Sequence, residues 1–252
     1  MTRLNLLEKV GRTVSTQELL PLLATYQMMP QFLIQTILDR AIQSIACTSE
    51  ETLQACQQLC QRWSLTTEAQ QQDWRSHYGL SAAEFEQLAT RSLRIEKFQQ
   101  QTWAHQINSY FLQRKQDLDQ VVYSLLRTSD EDMAQELYFR ISEDEASFAE
   151  LALQYSEGIE RQTGGLLGPI ELGALHQQLA QLLYTSPIGH VQTFRLGDWC
   201  MIVRLEKRVP AQLDESVRQR LLQEKFETWL QTQIQQLSDR DKVWLGVSQP
   251  IP

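Results

Sequence analysis

Glycine is spread very unevenly along these 252 residues: seven of the ten fall between Gly158 and Gly197, and only Gly11 and Gly79 come earlier. No proline occurs between Pro30 and Pro169. Glycine tolerates positive φ and close backbone approach, and proline breaks a helix from within. A long stretch poor in both therefore suits helices. The glycine-rich stretch suits tight turns and a loop that faces a ligand.

Three helix starts are written in the first part as capping boxes, in which a hydroxyl and a carboxylate satisfy the orphan amides of a helix entrance. They are Ser15-x-x-Glu18, Thr48-x-x-Glu51 and Ser81-x-x-Glu84. Gly79 ends the helix before the third. From there Phe85, Leu88, Ile95, Phe98, Ile107 and Phe111 recur at helical spacing, which predicts one long amphipathic helix to about Arg114. The chain ends on the same period. Leu213, Val217, Leu221, Trp229, Ile234 and Leu237 predict a helix of about 25 residues after Pro210, and Val243 to Val247 read as a short strand or anchor.

Between these helices the period changes. Val121 to Leu126 reads as a strand; Met133, Leu137 and Ile141 mark a helix, as do Phe148, Leu151, Ala152 and Tyr155. After the glycine loop, Leu175, Leu179 and Leu182 mark a third helix, and Val191 to Leu205 reads as two strands joined at Gly197-Asp198. The expected order is strand, helix, helix, loop, helix, strand, strand.

With 42% apolar and 21% charged residues the chain can bury a core. A net charge of −8 and a pI near 5.1 argue against nucleic acid as a main partner, because phosphate binding needs clustered Lys and Arg. The opening residues lack the apolar core of a signal peptide, and the apolar stretch from Leu19 to Leu38 is interrupted by Pro21, Pro30 and glutamines. A soluble, cytoplasmic protein without a membrane span is therefore expected. The cysteines, Cys47, Cys56, Cys60 and Cys200, imply no disulfide framework. Cys56 and Cys60 stand four apart on a helix and could share a ligand, but a zinc site needs two more donors and none is near, so small buried thiols are expected. His77, His105, His176 and His190 form no metal cluster. No phosphate loop or nucleophile-base pattern is evident, and no cofactor is inferred.

Residues 147–170, SFAELALQYSEGIERQTGGLLGPI, resemble the substrate loop of the parvulin (PpiC-like) family of peptidyl-prolyl cis-trans isomerases, usually spelled sFaelA, yS, then GGdLG and an apolar residue. The resemblance runs from about Gln120 to Arg208. Tyr78 to Glu84 and Arg94 to Phe98 are similar to the helical part of the SurA-like foldases. Together these imply an α+β fold: a mainly helical SurA-like chaperone body, residues 1–119 completed by 209–252, with an inserted parvulin (FKBP-like) module over 120–208, a small antiparallel sheet surrounded by helices. SurA relatives are exported, and this chain shows no export signal.

The resemblance also implies the site. It places the proline pocket on Leu167, Leu175 and Leu179, with Ile170 beside them, and puts Ser156 and Gly158 on the substrate loop, Gly158 where the family often has Cys or Asp. Leu166 replaces the Asp of GGdLG. The family's two histidines fall on Ser124 and Cys200. Rotation about an X-Pro bond meets a barrier of about 20 kcal/mol and needs no covalent step. An isomerase must seat the ring in an apolar pocket and favour the twisted amide over both planar forms. Two readings follow: an isomerase or foldase acting on X-Pro bonds of extended or unfolded polypeptide, in which Ser124 and Cys200 still support the site, or an impaired pseudo-isomerase that binds peptide as a chaperone or adaptor for a precursor or an export machine. A third, a helical scaffold with a relic module, predicts Leu167 and Leu175 fully buried. Met28 and Met29 are candidates for an adaptable binding surface, or for core.

Overall fold

The computed structural model describes residues 14–246 together with Arg3 and Leu4. A two-residue ribbon, β1 (Arg3–Leu4) with β2 (Val14–Ser15), precedes α1 (Thr16–Thr25), α2 (Met29–Ile42), α3 (Ser49–Arg62), α4 (Glu68–Tyr78), α5 (Ala82–Trp103) and α6 (Ile107–Leu118). Then follow β3 (Gln120–Thr128), α7 (Glu131–Ser142), α8 (Phe148–Tyr155), β4 (Leu166–Glu171), α9 (Gln177–Thr185), β5 (Val191–Leu196), β6 (Trp199–Val209), α10 (Glu215–Gln235) and α11 (Asp239–Trp244). The chain divides into two compact units, Met1–Ile107 with Gln219–Pro252, and Asn108–Arg218.

In the first unit the capping boxes at Thr48 and Ser81 are formed, and a further one, not foreseen, opens α4 with Thr67 and Gln70. The box at Ser15 lies on a side chain outside the described residues. Gly79 closes α4 in the left-handed conformation, φ 66°. Glu51 works twice: it closes the Thr48 box and its Oε2 accepts from Lys97 Nζ at 2.5 Å, tying α3 to α5. Met29 is buried and Met28 exposed.

The single long helix expected to Arg114 is two. α5 stops at Trp103, a 3-10 turn spans Ala104–Gln106, and α6 begins at Ile107. No glycine or proline marks the break. Trp103 is drawn into a ring cluster with Phe98 at 5.4 Å, Phe226 at 6.2 Å and Trp229 at 6.1 Å. A tighter turn changes the helical phase after it. Of the tail read as a short strand or anchor, Val243 and Trp244 end the helix α11, which Ser238 caps, Leu245 and Gly246 follow in a turn, and Val247 lies outside the described residues.

The second unit holds a four-stranded antiparallel sheet in the order β4-β3-β6-β5. One face carries Val121, Tyr123, Leu125, Met201, Val203 and Leu205 against Leu179 and Leu183 of α9. The other carries Leu126 and Ile202 against α7 and α8, through Leu137, Ile141, Phe148 and Leu151. Both faces are therefore core. The glycine stretch, expected as a loop, contains β4, which pairs with β3. Glycine is required there for approach as well as angle: a Cβ on Gly165 (φ 83°) would stand 2.6 Å from the Leu125 carbonyl, and one on Gly168 (φ 112°) 2.5 Å from that of Val121. Leu175 precedes α9 in extended conformation, and His176 caps that helix, its Nδ1 accepting from the Gln178 N–H at 3.3 Å.

Candidate functional site

The alternation along β3 and β6 decides what meets the expected pocket leucines. Leu167, Ile170 and Leu175 pack against the cluster that holds Tyr123, Leu125, Leu179 and Met201, and Phe194, Leu196 and Trp199 join its margin. Leu179 is 6% exposed. Leu167, Ile170, Leu175, Phe194 and Trp199 are only half-buried, so this face of the sheet keeps apolar surface open to a ligand. A relic module with both Leu167 and Leu175 sealed in its core does not describe it.

Ser124 and Cys200 are not brought together. Ser124 lies opposite Arg204 and Cys200 opposite Thr128, which places them four residues, or about 13 Å, apart along the strands. Both also turn to the face away from the leucines. Ser124 Oγ donates to Glu206 Oε1 at 2.5 Å, which also accepts from Arg204 Nε at 2.8 Å, and the Arg204 guanidinium sits 5.3 Å over the Phe148 ring of α8. Cys200 lines a cleft of about 390 Å³ with Ala134, Tyr138 and Phe139 of α7. The residues turned toward the leucines are those immediately before each, Tyr123 and Trp199.

The polar side of the leucine face is built from β3 and the loop after α8. Ser147 and Glu150 form a capping box that starts α8, and the helix ends at Tyr155. Ser156 is 1% exposed; its Oγ donates to Glu160 Oε1 at 2.6 Å and accepts from the Arg127 N–H at 3.2 Å. It is a buried strut joining the loop to β3. Glu157 closes the same joint, accepting from Thr128 Oγ1 at 2.7 Å and the Ser129 N–H at 2.9 Å, and these bonds, Thr128 first, hold its carboxyl below the usual carboxylate range.

Glu160, 1% exposed, accepts from Arg127 Nη2 at 3.0 Å. The Arg127 guanidinium also stands 5.7 Å from the Trp199 ring centroid, and its buried Nε has no hydrogen-bond partner. A Cβ on Gly158 would lie 2.0 Å from that Nε. Where the resemblance puts a Cys or Asp side chain, this chain leaves the space to an arginine from β3. Tyr123 lies on the same face, and burial, then the charge of Glu160, raises its phenol above the ordinary value. Arg127, Glu160, Tyr123 and Trp199 were not singled out from the sequence. The Gly158 gap and a lone Arg in an apolar strand were the available signals.

Among the described residues no group of three or more His, Cys, Asp or Glu could hold a metal ion, and no helix is long and apolar enough to cross a membrane.

Residues 112–195 match the rotamase family, described as the PPIC-type PPIASE domain. No curated protein matches the chain. Among solved structures, the peptidylprolyl isomerase PrsA from Bacillus cereus is 16% identical with a TM-score of 0.50, covering 96% of this chain and 91% of that one. PrsA from Bacillus anthracis is 20% identical, with a TM-score of 0.44 over 81% and 96% of the two chains. A SurA-like chaperone from Campylobacter jejuni is 15% identical, with a TM-score of 0.35 over 96% and 97%. The Bacillus cereus likeness shows a fold in which a helical body accompanies the small sheet. The family match thus identifies residues 112–195 as a PPIC-type PPIASE domain, carried on a chain whose fold is similar to that of the Bacillus cereus protein.

Proposed function

We propose that this protein is a foldase that seats proline-containing, extended segments of unfolded polypeptide on the Leu167–Leu175 face and accelerates rotation about their X-Pro bonds. The observation that carries the reading is the grouping of half-buried Leu167, Ile170, Leu175 and Trp199 beside the Arg127 guanidinium on one face of the sheet. An apolar seat withdraws the amide from water, which favours the less polar twisted form. Arg127 supplies the polar contact that orients the chain at its rim. No acid, base or cofactor is required for a bond rotation.

One observation favours a second reading, a peptide-binding adaptor without catalysis: Ser124 and Cys200, at the positions given to the family's histidines, face away from the leucines. NMR exchange spectroscopy on short X-Pro peptides separates the two. Faster cis-trans exchange with the wild type, weakened by Leu167→Ala, is expected. Shift changes or broadening without acceleration would leave the adaptor, and neither effect would remove both.

A further inference from the structure

The helical unit carries a pair of thiols that the peptide-handling reading leaves unused. Cys56 and Cys60 stand one turn apart on α3, so both face the same side of the helix. Cys60 is 8% exposed and Cys56 half-buried, and both line one cleft with Leu53, Gln57 and Gln61. Leu59, Cys60 and Phe85 form the core beneath, and Cys56 and Trp74 pack against it. The Cys56 thiol is raised by burial, then by the charge of Glu86, and last by Cys60.

Spacing decides what such a pair can hold. Residues four apart on a helix have Cβ atoms about 5–6 Å apart, whereas a disulfide needs about 3.8 Å. Direct bonding of the sulfurs would bend α3. A bridging ion reaches further: metal–sulfur bonds of about 2.3 Å on each side set the sulfurs about 4.6 Å apart when the ion is held linearly. Glu86 is near enough for its charge to act on Cys56, but among the described residues no group of three or more His, Cys, Asp or Glu is placed to hold a metal ion together, so the two thiols suit an ion content with two ligands. Soft thiolates select such an ion, whereas zinc requires four donors.

We propose that Cys56 and Cys60 form a two-thiolate site for a soft monovalent cation of the copper(I) class. Each thiol gives up its proton as its sulfur bonds the ion, so one cation enters, two protons leave and no electron moves. Binding therefore tightens as pH rises.

The test offers copper(I) as its coloured bicinchoninate complex, without oxygen, to the full chain carrying Cys47→Ser and Cys200→Ser. Transfer of one equivalent is expected, with partial quenching of tryptophan fluorescence through Trp74, and adding Cys56→Ser should abolish both. Trp74→Phe should remove the quenching and keep the transfer. Circular dichroism confirms that Cys56→Ser, a half-buried replacement, keeps the helices. No transfer to the Cys47/Cys200 variant, or transfer that survives Cys56→Ser, would overturn the site.

Discussion

The guanidinium of Arg127 is held 5.7 Å from the ring centroid of Trp199, and this contact joins the two central strands on the face where the pocket leucines gather. Its charge is balanced from below by Glu160, which is almost fully buried. Loss of one partner of a buried pair costs about 3–5 kcal/mol because the other charge is stranded. Arg127 keeps 28% of its side chain exposed, so Arg127→Met is expected to cost about 2 kcal/mol. The double variant with Glu160→Met should cost less than Arg127→Met alone, as urea denaturation would reveal; equal or additive losses would dismiss the pairing.

Leu175 stands half-buried before α9, and its backbone N–H donates to the Leu172 carbonyl at 3.1 Å, a bond that a change of side chain leaves in place. Leu175→Glu should abolish peptide binding under both functional readings while circular dichroism and thermal melting of the helices stay close to wild type. Undiminished binding by titration calorimetry would place the peptide elsewhere.

Gly168 has φ 112° and its missing Cβ faces the Val121 carbonyl at 2.5 Å. Gly168→Ala must therefore push β4 from β3, and overpacking of this kind costs about 1–3 kcal/mol. Faster amide exchange across β3 and β4, with peptide binding reduced at least tenfold, is the expected outcome. Gly189→Ala, where φ is 81° but a Cβ meets nothing within 4 Å, carries the backbone strain without the clash and should change exchange only at its own turn and its bond to the Leu205 carbonyl.

Glu51, Glu84, Glu150 and Glu157 all have carboxyls held below the usual range, by Lys97, Ser81, Ser147 and Thr128 respectively as the largest cause. A depressed carboxylate contributes stability above its unfolded pKa and loses it as pH falls through the lower folded value. Stability should thus be level from pH 7 to about 5 and decline below about 4. Urea midpoints at three pH values check this. Glu51 and Lys97 are only half-buried, so salt should weaken the part owed to that pair.

Much of the architecture was legible because it is written locally. Thr48 with Glu51, Ser81 with Glu84, and Gly79 punctuate helices wherever they occur, and Gly197-Asp198 turns β5 into β6. The site was harder to read for a reason that lies in β3. Its sequence, Val121-Val122-Tyr123-Ser124-Leu125-Leu126, is apolar on both sides, since α9 covers one face of the sheet and α7 and α8 the other. Without an alternation of apolar and polar residues the face of each side chain is not encoded locally, and a shift of one residue exchanges the faces. That shift separates Ser124 from Tyr123, and Cys200 from Trp199. β4 escaped notice because its glycines read as a turn, while its pairing comes from β3, and the turn between α5 and α6 answers to aromatic packing around Trp103 rather than to any helix-breaking residue.

β4 is an outer strand of the sheet, and Pro169 removes one amide donor from it. An outer strand is ordinarily a template on which stray extended chains add themselves. A protein proposed to meet unfolded segments thus presents, beside the very leucines that would hold them, a border with one donor fewer for such a ladder, which disfavours growth of the sheet by what it binds.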